Sequence, residues 1–312
     1  MAKLVGHVGT GLGFFLIGIW HLFNHIKLHV LHPNGYTSLL WFPTPKIRHF
    51  ELFLIMCFTL IFLLMEIFGN HNLLNLDGTI PSNHLHYLEH SCISLSLFIY
   101  SFFSMLIDKI TPTIHSQNGL TNFLASIAFG QELLLFHLHS SDHMGVEGQY
   151  HWLLQIVIFV CLITTLLGIP FPNNFLNNFV RSYSIMFQGL WLMVIGVMLW
   201  TPKFIPKDCF INLEEGYQVV RCHGHKSLER AKSLVNIEFS WYIIGTTCLV
   251  VSLYLVGFKI FTKNINVEYQ SLKNNFEDNQ EVDFVDVEDQ KRSELKKKFV
   301  EMGKVFATSL TR

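Results

Sequence analysis

Seven stretches of about 20 mostly apolar residues run through the chain and constrain its fold more than any other feature. A helix needs about that length to cross the hydrocarbon core of a bilayer. The stretches are too continuously apolar for barrel strands, whose residues alternate between lipid and lumen. The sequence therefore predicts an all-α, polytopic membrane helix bundle of about seven transmembrane helices, at residues 7–28, 49–68, 86–107, 120–140, 150–169, 183–200 and 237–261.

The low content of charged residues supports a membrane location. Only 14% of the residues are charged, whereas an average soluble protein has roughly 25%. The formal net charge is −1, and no basic patch interleaved with aromatic residues is present. The partner that this composition predicts is therefore the lipid bilayer, and nucleic acid is excluded.

The composition changes after the seventh stretch, which divides the chain into two predicted domains. Residues 1–262 form the transmembrane domain, and residues 263–312 form a tail on the cytosolic side. Residues 264–289 are rich in Asn, Asp and Glu and are predicted to be largely disordered. Residues 291–306 alternate basic and apolar residues. That pattern fits either an amphipathic helix on an anionic membrane surface or a solvated tail.

The distribution of Lys and Arg predicts the orientation in the membrane. Loops one, three and five share a side with the C-terminus, and the basic residues flanking that side are Lys27, Lys46, Arg48, Lys109, Arg181, Lys259 and Lys263. Loops two and four carry neither Lys nor Arg, although loop six carries several. We therefore predict a lumenal or extracellular N-terminus and a cytosolic C-terminus, in an endomembrane or the plasma membrane. Cys209 and Cys222 of loop six would then face an oxidising lumen, as a disulfide or as two free thiols.

Histidine is unusually frequent, with 17 residues, many of them in or beside the apolar stretches. Ionisable residues at membrane depth are costly and often functional. The helix order brings six candidate metal ligands to the predicted lumenal side: Glu66, His86, His90, His137, His139 and His151. Imidazole and carboxylate groups suit zinc, and Glu132 or Glu238 could then act as a general base. The alternative is that these histidines are ordinary polar residues at the headgroup layer.

Two further patterns suggest weaker hypotheses. His21 and His25 lie one turn apart near the cytosolic end of the first helix, and a haem would need a second histidine such as His49 or His115. Haem is the least favoured cofactor. Gly9 and Gly13 form a GxxxG motif, which is typical of close helix packing and offers a surface for homo- or hetero-oligomers.

Several longer motifs resemble one known family. These are GHVGTGLGFFLIGIWH at the start, ELLLFHLHSSDHMGVEGQYHWLLQ, FQGLWLMVIG and RCHGHKSLERAKSLVNIEFSW. Together they resemble the transmembrane protein 45 family over residues 1–260, and the last resembles its plant-type branch, described as responding to viral attack. The resemblance implies a multi-pass membrane protein without a settled biochemical activity.

Four functions therefore stay open at the level of sequence. The first is a non-enzymatic membrane or trafficking component, related to stress or defence. The second is a zinc-dependent membrane enzyme, and the third is a transporter for a metal ion or proton along the same residues. A haem redox protein comes last. The sequence leans toward a protein that is not an enzyme.

Overall fold

The computed structural model describes residues 2–33, 35–69, 77–80, 85–111, 113–138, 145–214 and 217–278. Within these ranges the chain forms seven α-helices and one two-stranded sheet. The helices are α1 (Ala2–Leu31), α2 (Phe50–Phe68), α3 (Leu85–Ile110), α4 (Ile114–Leu138), α5 (Gly145–Leu167), α6 (Phe175–Trp200) and α7 (His225–Asp278). All seven are long and apolar enough to cross a membrane, which confirms the predicted fold class.

The connection between α6 and α7 contains a β-hairpin that the sequence did not predict. After a 3₁₀ turn at Pro202–Phe204, β1 (Cys209–Glu214) pairs antiparallel with β2 (Tyr217–Cys222). The hairpin lies where α5 begins, because a Cβ added to Gly145 would lie 3.4 Å from the carbonyl oxygen of Val220. We call this end of the bundle, where α5 and α7 begin and α4 and α6 finish, the hairpin end.

The last helix is longer than predicted. It begins at His225 and continues to Asp278, whereas the apolar stretch covers only residues 237–261. Residues 226–236 and 259–278 contain neither Pro nor Gly, so the helix continues beyond the apolar stretch at both ends. By internal packing the chain divides into Met1–Phe258 and Lys259–Arg312. The predicted tail helix at 291–306 lies outside the described residues, and the predicted boundary after residue 262 stays a prediction.

The sixth helix also starts earlier than predicted, at Phe175 rather than at residue 183. Asn174 caps it, because its side-chain oxygen accepts a hydrogen bond from the backbone N–H of Asn177 at 3.0 Å. The polar residues that follow are therefore part of the helix. Of the apolar span of α6, 72% is buried, against 11% for α7, so α6 is the central helix of the bundle.

The first and sixth helices pack closely through glycines. A Cβ on Gly11 would lie 2.6 Å from the carbonyl oxygen of Gly189, and a Cβ on Gly189 would overlap the backbone of Phe15. Small residues allow this approach, as is common in membrane bundles. The glycines of the predicted GxxxG motif are not at this contact. Gly9 has open space around it, and Gly13 lies against the ring of Phe58. An oligomer through Gly9 and Gly13 stays a prediction.

The seventh helix contacts the bundle mainly through long side chains. Its Phe239 packs edge-on against Trp191 of α6, with ring centroids 4.8 Å apart. Its Thr246 hydroxyl lies 3.0 Å from the hydroxyl of Tyr183. The outer face of α7 carries large apolar side chains such as Trp241, which is 70% exposed. In a membrane protein such a face contacts lipid.

Candidate functional site

Glu51, near the start of α2, is a buried carboxylate whose two oxygens are both engaged. Its Oε1 lies 2.6 Å from His21 Nε2. Its Oε2 accepts hydrogen bonds from the indole N–H of Trp20 at 3.1 Å and from the backbone N–H of Phe42 at 2.9 Å. A buried carboxylate is tolerated when donors surround it in this way.

The loop between α1 and α2 folds into the end of the bundle opposite the hairpin. Its buried side chains alternate with more exposed ones, and they are Tyr36, Ser38, Leu40 and Phe42. The backbone N–H of Ser38 donates to the carbonyl oxygen of Pro172 at 2.9 Å, which attaches the loop to the connection between α5 and α6. The Tyr36 hydroxyl lies 2.8 Å from His25 Nδ1. Burial raises the pKa of Tyr36, so this hydroxyl keeps its proton at neutral pH.

Arg181 of α6 is buried in the same region, with only 2% of its surface exposed. Its Nη1 donates to Asn122 Oδ1 at 3.3 Å, and its Nη2 donates to the carbonyl oxygen of Leu39 at 3.5 Å. Both acceptors are neutral and both distances are long. Within the described ranges no carboxylate forms an ion pair with this guanidinium, although Glu51 and Tyr100 are close enough to interact with its charge.

Several buried polar atoms around Arg181 have no hydrogen-bond partner among the described residues. They are His21 Nδ1, His25 Nε2, Ser38 Oγ and Asn178 Oδ1. Buried polar groups are nearly always paired, so this many unpaired atoms in one region point to a ligand or water that would satisfy them. We call the group formed by His21, His25, Tyr36, Ser38, Glu51, Asn122, Asn178 and Arg181 the arginine site.

The sequence did not identify this site, although it contains His21 and His25. Arg181 was assigned to the flank of loop five, and that interpretation is wrong because α6 begins six residues before it. Arg181 therefore lies roughly 9 Å along the helix axis from the start of α6, at a rise of about 1.5 Å per residue. One signal was available: Glu51 stands alone within the apolar run FELFLIM. A single carboxylate in such a run indicates a buried partner.

Two of the predicted metal ligands contact each other in the described part of the chain, and two contact other groups. Glu66 Oε1 lies 3.8 Å from His90 Nδ1. His137 Nδ1 instead contacts Gln155 Oε1 at 3.2 Å, and His151 Nδ1 contacts the carbonyl oxygen of Glu147 at 3.1 Å.

The remaining predicted ligands, His139 and the side chain of His86, lie outside the described residues. Among those described, no three or more His, Cys, Asp or Glu side chains are grouped closely enough to hold a metal ion. The zinc site stays a prediction. Elemental analysis of the purified protein would contradict it if no stoichiometric zinc were found.

The predicted general bases lie apart from each other. Glu132 of α4 is buried and accepts a hydrogen bond from Gln188 Nε2 at 2.8 Å. Glu238 of α7 accepts one from the Tyr150 hydroxyl at 2.7 Å.

The haem hypothesis needed His49 or His115 as a second ligand, and His49 contacts Asp108 Oδ2 at 2.8 Å. The side chain of His115 lies outside the described residues. Haem stays a prediction, and a Soret band in the purified protein is the measurement that decides it.

The β-hairpin is cross-linked at its base. Cys209 and Cys222 face each other in the pair of strands and form a disulfide. Arg221, next to the disulfide, donates hydrogen bonds to Glu214 and lowers the pKa of this carboxyl to about 2. A disulfide is typical of an oxidising compartment, which agrees with the predicted lumenal position of this end. The orientation stays a prediction that protease protection of terminal tags would test.

Two comparisons place the chain among known proteins. Residues 118–255, from α4 to α7, match a protein family described as a family of unknown function, DUF716. The human protein named transmembrane epididymal protein 1 is 27% identical over 110 residues. This match spans 35% of the chain and 40% of the human protein. Both findings confirm the predicted family resemblance for this part of the chain, and with the seven apolar helices they show a multi-pass membrane protein.

Proposed function

From the premise that residues 118–255 form a DUF716 segment of a multi-pass membrane protein, we propose that the protein binds a small oxyanion within the membrane. The arginine site is the binding site, and the ligand is a carboxylate or a phosphate. The observation that carries the proposal is the buried guanidinium of Arg181, whose hydrogen bonds to described residues go to neutral oxygens only.

The chemistry of the site favours an anion for three reasons. A buried charge without a counter-charge is costly, so Arg181 gains from an anionic ligand. A guanidinium offers planar, paired donors that match carboxylate and phosphate oxygens. The nearest carboxylate, Glu51, does not fill this role because His21 and two N–H donors already engage its oxygens.

The neighbours of Arg181 provide the remaining polar contacts of such a ligand. Both the unpaired Nε2 of His25 and the unpaired Oγ of Ser38 can donate a hydrogen bond to an oxygen atom. The Tyr36 hydroxyl is held at His25 and keeps its proton. The loop from Tyr36 to Phe42 supports these groups, because four of its side chains are buried in the bundle.

Replacing Arg181 with glutamine tests this function. We expect acetate or inorganic phosphate to bind the purified wild-type protein and raise its melting temperature, because a ligand that binds the folded state stabilises it. Removing charge-assisted hydrogen bonds of about 1.5–3 kcal/mol should weaken binding by about 10- to 100-fold. Isothermal titration calorimetry of the protein in detergent measures this change in affinity.

Arg48→Gln is the matched control, because Arg48 donates to Asp108, at 2.9 Å, and not to a residue of the arginine site. It should bind the same anions with unchanged affinity. Arg181→Lys keeps the charge without the planar pair of donors, so we expect an intermediate affinity. Absence of binding to the wild-type protein, or equal affinity in Arg181→Gln, would overturn the proposal.

The predicted role in stress response or trafficking is compatible with an anion-binding membrane protein. It stays a prediction, because it depends on partners outside the bundle. Anion uptake into proteoliposomes would separate a carrier from a protein that only binds its ligand.

A further inference from the structure

A second polar cluster lies deeper in the bundle and connects three helices. Gln188 of α6 is fully buried, and its Nε2 donates to Glu132 Oε1 of α4 at 2.8 Å. Its own Oε1 accepts a hydrogen bond from Cys161 Sγ of α5 at 3.4 Å. Glu132, the carboxyl residue of this cluster, is only 2% exposed.

The second oxygen of this carboxyl group is unsatisfied. Glu132 Oε2 is buried without a hydrogen-bond partner among the described residues. One neutral donor on the other oxygen does not compensate a full negative charge in an apolar interior. The protonated form removes this cost, because the carboxyl group is then neutral and Oε1 still accepts the hydrogen bond of Gln188.

Among the residues that the structure describes, none supplies Glu132 with a counter-charge at hydrogen-bond distance. The nearest titratable group on α5 is Cys161, and on α6 they are Tyr183 and Arg181, five and seven residues before Gln188. On α1 no ionisable residue lies between His7 and His21. On α3 the titratable side chains between His90 and Asp108 are Cys92, which is exposed, and Tyr100. On its own helix the nearest is His137.

We propose that Glu132 is a proton-binding site in the interior of the membrane domain. A proton from water adds to Oε2 of the carboxylate and gives the neutral acid, and the reverse step returns the proton to water. Gln188 keeps the carboxyl group in place in both states, because its amide donates to Oε1 whether or not Oε2 carries a proton. Among the described residues this cluster shares no hydrogen bond with the arginine site, and the proposal does not depend on anion binding.

Infrared spectroscopy of the reconstituted protein tests this proposal directly. At neutral pH an exposed glutamate is ionised, so a protonated carboxyl group gives a distinct C=O stretching band. We expect the wild-type protein to show this band, to shift it in deuterated water and to lose it reversibly at high pH. Glu132→Gln should remove the band.

Two further variants make the assignment specific. Glu238→Gln changes a carboxyl group that is bound to the Tyr150 hydroxyl, and it should leave the band unchanged. Gln188→Leu removes the donor to Oε1, so the band should move to higher frequency because the C=O bond loses its hydrogen bond. A merely structural glutamate that is ionised would show neither the band nor this shift.

The same samples also show whether the Glu132→Gln variant is folded. Glutamine has the shape of a protonated glutamate, so Glu132→Gln should keep the helical circular dichroism and the melting temperature of the wild-type protein. A wild-type spectrum without the band, or a band of full intensity in Glu132→Gln, would overturn the proposal. Because no anion is added, this result is independent of the test on Arg181.

Discussion

Leucine in place of Gly189 should prevent α1 and α6 from packing and leave little folded protein. Any Cβ at this position overlaps the backbone of Phe15 and of Gly11 on the facing helix. The overlap involves main-chain atoms, so a change of side-chain rotamer cannot relieve it. Overpacking a core typically costs about 1–3 kcal/mol, and separating two central helices should exceed this range.

Gly9→Leu is the matched control for this substitution. It lies on α1, the helix that packs against α6, and a Cβ there would meet nothing within 4 Å. Fluorescence-detected size exclusion and thermal melting should show a near-normal Gly9 variant and a misfolded or strongly destabilised Gly189 variant. Equal melting temperatures for the two variants would show that the close approach of α1 and α6 is wrong.

Alanine in place of Glu51 is expected to destabilise the protein by about 3–5 kcal/mol, because it removes the shared acceptor of a buried hydrogen-bond network. The change leaves three groups without their acceptor: His21 Nε2, the indole N–H of Trp20 and the backbone N–H of Phe42. An unsatisfied buried donor costs about 1–3 kcal/mol. The loop that contributes Phe42 should detach, so the arginine site should lose its anion affinity as well.

Asp108→Ala provides the comparison for Glu51→Ala. Asp108 also binds a histidine and two N–H donors, at His49 and Arg48, but its partner Arg48 is about one-third exposed. Ion pairs of this kind contribute about 0–1 kcal/mol. Thermal melting should therefore show a much smaller loss for Asp108→Ala, and Glu51→Gln should restore part of the stability by keeping one oxygen acceptor. Similar losses for the two alanine variants would contradict the role assigned to Glu51.

The buried charges explain why the candidate site was hard to predict. Helix order correctly sorts residues to one end of a bundle or the other, since each crossing reverses the direction of the chain. It does not determine the direction in which a side chain points around its helix. Glu66 and His90 therefore meet, whereas His137 and His151 contact other groups at the same end.

The sequence placed Arg181 outside the sixth helix because the start of α6 is polar. The polar residues Asn174, Asn177 and Asn178 lower the hydropathy of the start of α6, which is why the predicted helix began too late. Asn174 in fact caps the helix, and Asn178 and Arg181 face the interior. The average hydropathy of a sequence segment is low in both cases. It therefore cannot distinguish polar residues at the end of a helix from polar residues that are buried inside a bundle.

The sequence by itself determined that the chain crosses a membrane with seven helices, because only continuous apolar stretches of sufficient length can satisfy their backbone hydrogen bonds in lipid. Only the tertiary structure decided which polar residues meet. The arginine site forms because the loop from Tyr36 to Phe42 enters the bundle and α6 takes the central position. Both depend on contacts between residues far apart in the chain, such as Glu51 with His21 and Arg181 with Asn122. The composition of a short segment does not predict such contacts.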